Sequence, residues 1–159
     1  IFKSKLPTYY GNHILETFYD PFHLSIQNQL EALLSKFGVC YHFDLHSMPQ
    51  RAVKSMKNIP DIVLSDNYRK SCSSKLINYI KDQFEKYGLI VAINQPYAGG
   101  FITRNYGNPS KGIETMQIEV NRSVYMNEDK LLLRNIEPIQ KIFSEIFNFF
   151  SYNYKIAAE

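Results

Sequence analysis

A chain of 159 residues, 45% hydrophobic and 21% charged, has the size and composition of one globular domain with a substantial core. Its net charge of +3, with no block of Lys or Arg, argues against nucleic acid or a membrane surface as partner, and no apolar run is long enough to span a bilayer. Ile1–Lys5 is not followed by the apolar core of a signal peptide, and Cys40 reads as a small buried hydrophobe, so a reducing cytoplasm is expected. The chain does not begin with Met, which raises the expectation of a fragment.

The predicted elements alternate. Asp20-Pro21 reads as an N-cap followed by the first helical position, and Leu24, Leu30, Leu33, Leu34 and Phe37 recur at helical spacing before a stop at Gly38. Val39–Leu45 reads as a buried strand that delivers Asp44 and His46 to its carboxyl end, just outside which ligands bind in open α/β sheets. A second short buried strand is expected at Pro60–Asp66. A helix follows over Ser73–Tyr87, with Leu76, Ile77, Ile80 and Phe84 on one face. Leu89–Asn94 is a third strand and Thr115–Arg122 a fourth. A closing helix runs from Ile136 to about Phe150. Near-continuous apolar strands separated by helices predict a three-layer α/β/α sandwich around a mostly parallel mixed sheet.

The chemistry lies in the polar residues that interrupt this pattern. In the fourth strand, Gln117, Glu119 and Asn121 share one face and Ile118 and Val120 the other. That is either an edge strand with a solvated face or a buried carboxylate raised in pKa to serve as a general base. Asn94 to Arg104 reads as a strand end and loop, in which Gly99-Gly100 permits unusual dihedrals or close backbone approach to a ligand, or simply a turn. Arg104 could fork onto a carboxylate. His13-x-x-Glu16 has a spacing that chelates metal on a helix, but such pairs arise often by chance and a structural role is favoured. His23 falls in a first helical turn, with a surface or capping role as its default. His42, Asp44 and His46 alternate onto one strand face, an arrangement that would allow a local metal site; His42 is instead read as a satisfied core histidine or a sheet-edge residue. No phosphate-cradling glycine loop opens a helix, which weakens a nucleotide-binding reading.

Taken in order, Tyr19-Asp20-Pro21-Phe22-His23, Asp44-Leu45-His46-Ser47-Met48-Pro49, Pro60–Asp66, Asn94–Thr103, Tyr106-Gly107 and Gln117–Met126 resemble the N-formylglutamate amidohydrolase family. The resemblance covers most of the chain and makes residues 1–159 a single, partial domain of a zinc carboxypeptidase-like fold. It implies hydrolysis of N-formyl-L-glutamate to glutamate and formate, a step of histidine degradation, on a small-molecule N-acyl amino acid. It implies zinc as cofactor with His46 as a ligand, Glu119 as general base, and Asn94, Gly99 and Gly100 lining the substrate. Arg122 and Arg104 become candidates for the substrate carboxylates, because a dicarboxylate favours Arg forks. Asp44 is expected to orient His46.

The chain also departs from the family pattern. A His-Ser-Gly segment and an acidic ligand have no counterpart before Tyr19, which predicts an N-terminally truncated domain with an incomplete metal site. Whether the chain is an enzyme is therefore open, and a truncated, non-catalytic remnant is the alternative function. An exposed sheet edge and self-association are expected from the same truncation. Residues 65–71 lack the glycines the pattern leads one to expect.

Overall fold

The computed structural model describes residues 4–158, with side chains through residue 151; Ile1, Phe2 and Lys3 of the N-terminal reading lie outside the described residues. The chain enters through a helix that begins well before Asp20. Helix α1 (Thr8–Ile14) runs through a π-helical turn at Leu15–Tyr19 directly into α2 (Asp20–Phe37). Asp20 is therefore helical, not an N-cap, and its N–H donates to the Leu15 carbonyl. The physical reason is Pro21. It has no N–H and its ring crowds the carbonyl one turn back, and a widened turn accommodates both. Gly38 ends α2 in the left-handed conformation at φ 70°, with its N–H on the Leu34 carbonyl at 2.8 Å, as the sequence predicts.

Strand β1 (Cys40–Met48) follows, then β2 (Ile62–Ser65), α3 (Ser74–Glu85), β3 (Val91–Ile93), α4 (Phe101–Tyr106) and β4 (Ile113–Asn121). A small hairpin of β5 (Met126–Asn127) and β6 (Leu132–Leu133) leads to α5 (Glu137–Ala158). The main sheet has the order β1-β4-β2-β3. Strands β1 and β4 are parallel, as are β2 and β3, and β4 meets β2 antiparallel. The sheet is thus mixed and mostly parallel.

Helices cover both faces. On one, α3 and α5 bring Ile77, Ile80, Phe84, Ile142 and Ile146 onto Ile62, Leu64, Met116 and Ile118. The predicted apolar face of α3 is the buried one, and Ser73 caps it by accepting from the Leu76 N–H. On the other face, Leu30 of α2 and Tyr106 of α4 close over Cys40, while Met48, Val53 and Val63 form a satellite cluster.

Two expectations change with the topology. The strand expected to be buried, β1, lies at the edge of the sheet among the described residues, and Leu45 is 50% exposed. The strand read as a possible edge, β4, is instead flanked by β1 and β2, and Thr115, Gln117, Glu119 and Asn121 are all buried. The stretch after Asn94, expected to be loop throughout, contains the short helix α4 capped at Gly100.

Candidate active site

The site is built by register. Two left-handed glycines sit side by side at the start of the parallel pair: Gly38 before β1 and Gly112, at φ 81°, before β4. A Cβ on Gly112 would stand 2.6 Å from the Gly38 carbonyl oxygen, so only glycine permits this approach. The Cys40 N–H then donates to the Gly112 carbonyl at 2.8 Å. This alignment pairs Cys40 with Ile113, and further along Asp44 with Gln117 and His46 with Glu119. A one-residue slip would turn each of these side chains to the opposite face of the sheet.

The paired residues share the sheet face covered by α2 and α4. His46 Nε2 lies 3.0 Å from Asp44 Oδ1, the same-face contact expected for an Asp that orients the imidazole. On β4, the Gln117 amide donates to Glu119 Oε1 at 3.2 Å, and Gln117 Oε1 accepts from the Gly100 N–H at 2.7 Å. Gln117 thus ties the Gly99-Gly100 turn to the acid. Burial holds the Glu119 carboxyl above the ordinary carboxylate range; Asp44 pushes the same way, while His46, Arg122 and the Gln117 amide draw it back. Arg122 follows Asn121 at the end of β4, and its Nε donates to Ser47 Oγ at 3.3 Å.

The glycine turn has little room to vary. Gly99 has φ 112°, and a Cβ there would meet the Thr103 side chain at 2.8 Å. Asn94, expected to line the substrate, is occupied at both ends of its amide. Its Nδ2 donates to Asp66 Oδ1 at 2.7 Å and its Oδ1 accepts from the Asp66 N–H at 3.1 Å. This clasp joins the carboxyl ends of β2 and β3. It also explains how residues 65–71 dispense with glycine: Asn67, Tyr68 and Arg69 are all left-handed, at φ 52°, 55° and 67°. Asp66 holds them through bonds to the N–H groups of Arg69, Lys70 and Ser71, and Asn67 donates to the Ala98 carbonyl. Left-handed backbone costs a non-glycine residue about 1–2 kcal/mol, a cost these bonds offset.

The remaining sequence candidates are dispersed. Arg104 lies exposed on α4, with no side-chain hydrogen bond or ion pair among the described residues. His13 and Glu16 are exposed, and the His13 ring faces Thr17 Oγ1 at 3.4 Å. His23 is not a surface or capping residue. It is part-buried, with Nδ1 2.5 Å from Tyr106 OH and its ring against Tyr19 and Phe101, and so joins α2 to α4 above the site. His42 is part-buried on the edge strand β1 and faces Thr115 Oγ1 at 3.5 Å, between the core and sheet-edge readings. Among the described residues, no group of three or more His, Cys, Asp or Glu side chains gathers to hold a metal ion, so these residues do not by themselves fit a zinc centre. Reading the sequence missed two roles, the Gln117 link and the Asp66–Asn94 clasp. The strand periodicity placed Gln117 beside Glu119, but nothing local shows that α4 lands on it.

The chain is similar to known proteins along most of its length. The model of the family described as N-formylglutamate amidohydrolase matches residues 1–126. N-formylglutamate deformylases of Pseudomonas putida and Pseudomonas aeruginosa are 31% and 30% identical to it. These matches cover 72% and 68% of this chain but 43% and 41% of the relatives, so the chain spans less than half the length of the curated relatives it matches. The crystal structure of N-formylglutamate amidohydrolase from Ralstonia eutropha JMP134 shares the fold with a TM-score of 0.84 at 26% identity, covering 99% of this chain and 56% of that one. The chain belongs to the N-formylglutamate amidohydrolase family.

Proposed function

We propose that this chain carries part of an amidohydrolase active site that converts N-formyl-L-glutamate and water to L-glutamate and formate. The observation that carries the reading is the buried, raised-pKa carboxyl of Glu119 in register with the Asp44-held His46. Both named relatives are N-formylglutamate deformylases. In this reading water adds to the formyl carbon, the C–N bond breaks, and Glu119 carries the water's proton to the leaving nitrogen. A carboxyl raised by burial suits both halves of that transfer, since it accepts and releases a proton nearer neutrality than an exposed one. Gln117 keeps the acid aimed and fixes the Gly99-Gly100 turn beside it. Arg122 offers a fork for a substrate carboxylate, while Asn94 and Gly99 shape the turn and Arg104 stands further out. Zinc belongs to the proposal only with His46 as one ligand among others that the described residues do not supply.

Formate release by the chain and by Glu119→Gln tests the proposal. Loss of the base is expected to lower kcat by about 10²-fold or more, whereas an equally active variant overturns the role. The alternative reading is a non-catalytic remnant of the family. An intact chain with neither formate release nor stoichiometric zinc supports that reading, and steady turnover discards it. A cytoplasmic setting and a step in histidine degradation are part of the same proposal. So is self-association along the β1 edge; a monomer by light scattering at high concentration discards that element. No described helix is long and apolar enough to cross a membrane.

A further inference from the structure

Beyond the carboxyl ends of β1 and β4 lies a cleft of ≈ 650 Å³, walled by the turn after β1 and by the β5–β6 hairpin. Four cations line it: Arg51 and Lys54 from the turn, Arg122 from the end of β4, and Arg134 from the hairpin. Two of the lining side chains are acids, and one of them, Glu128, is committed to the scaffold, its Oε1 accepting from the Gln50 N–H at 2.7 Å. That bond joins the two walls, and the Arg134 N–H on the Tyr125 carbonyl at 2.7 Å fixes the hairpin side. Arg51, Lys54 and Arg134 make no ion pair among the described residues. Cations gathered from three segments onto one concave surface repel one another, and an anion in the cleft relieves that repulsion. Arg122 adjoins both regions, since it lines the cleft while its Nε donates to Ser47 Oγ at the end of β1 at 3.3 Å.

We infer that this cleft receives a carboxylate of an acidic N-acyl amino acid, with Arg51, Lys54 and Arg134 joining Arg122 in selecting dicarboxylates over neutral analogues. The inference rests on the amidohydrolase reading for the identity of the ligand, and on the cleft alone for its charge. Guanidinium forks from opposite walls suit a planar carboxylate, and their charge also draws the substrate in at low salt.

Glutarate, a dicarboxylate with no bond to hydrolyse, separates the inference from the reading it rests on. By calorimetry it is expected to bind the 159-residue chain, more weakly as salt rises. Arg51→Gln and Arg134→Gln should each weaken it about tenfold, and Lys54→Gln less, with unchanged melting temperatures showing that the fold is intact. In parallel, the ratio of kcat/KM for N-formyl-L-glutamate over N-formyl-L-glutamine should fall in the same variants. Glutarate binding lost in the variants, with no formate released by any form, leaves the cleft standing and removes the amidohydrolase reading. Formate release with glutarate affinity unchanged in Arg51→Gln and Arg134→Gln, or no glutarate binding to the intact chain, overturns the inference.

Discussion

Strands β1 and β4 run parallel and in register, and both alternate polar and apolar side chains, yet they stand in opposite environments. On β4 the polar face is buried and each functional group is held: Gln117 by Gly100, Glu119 by Gln117, and Asn121 by the Pro60 carbonyl and the Ser123 N–H. On β1 Asp44 is part-buried, and the His46 side chain is 48% accessible. A buried carboxyl needs partners to avoid an unsatisfied polar group and gains a raised pKa from its burial. An exposed histidine keeps room to meet a ligand. The pair thus sets a held carboxyl beside an accessible imidazole, and the parallel register makes them neighbours.

The contrast is sharpest at the register partners Leu45 and Ile118. Ile118 is fully buried, so Ile118→Ala should cost about 3 kcal/mol in urea unfolding. Leu45→Ala, at a half-exposed site, should cost less than about 1 kcal/mol. Equal losses would mean that β1 is covered in solution, as self-association along that edge would produce. A smaller effect is expected at the link between strand and turn. Gln117→Leu strands the Gly100 N–H and frees Glu119, at a cost of about 1–3 kcal/mol; a variant as stable as the parent would show that Gln117 does not hold the turn.

Two further measurements probe the buried face at lower amplitude. Burial depresses the pKa of His42, with Asp44 drawing it partly back. A histidine depressed in the folded state contributes stability above its unfolded pKa, and that stability is lost as pH falls through the folded value. The melting temperature should therefore drop further between about pH 7 and about pH 5 in the parent than in His42→Gln. Parallel curves would contradict a part-buried His42 held neutral. The smallest signal comes from the thiols. Cys40 and Cys72 are free and buried; burial raises both thiols, and Asp66 and Glu114 push Cys72 further. Neither should react with a thiol reagent until denaturant is added, and prompt labelling of either would show local opening.

Much of this was legible in the chain because it is local. The periodicity of Leu76, Ile77, Ile80 and Phe84 depends only on helical geometry, and Gly38 ends its helix by its own left-handed backbone. Order and spacing of short polar motifs carried the family, since a residue pattern needs no coordinates. Pro21 misled in part: an Asp-Pro pair looks the same at a helix start and just after a π-turn, and only the preceding residues decide between them. Residues 67–69 misled in another way, because the Asp66–Asn94 clasp that holds their left-handed backbone joins segments distant in sequence.

By itself the sequence determined the alternating helices and strands, the apolar faces, and the row His42, Asp44 and His46 on one side of β1. It also determined the row Gln117, Glu119 and Asn121 on one side of β4, because strand periodicity is a property of the backbone. Which row is buried was decided only by tertiary structure, since strand order sets burial and the segments that set strand order lie far apart in the chain. The same holds for the cations of the cleft: Arg51 and Arg134 meet only because a strand end and a hairpin close on one another.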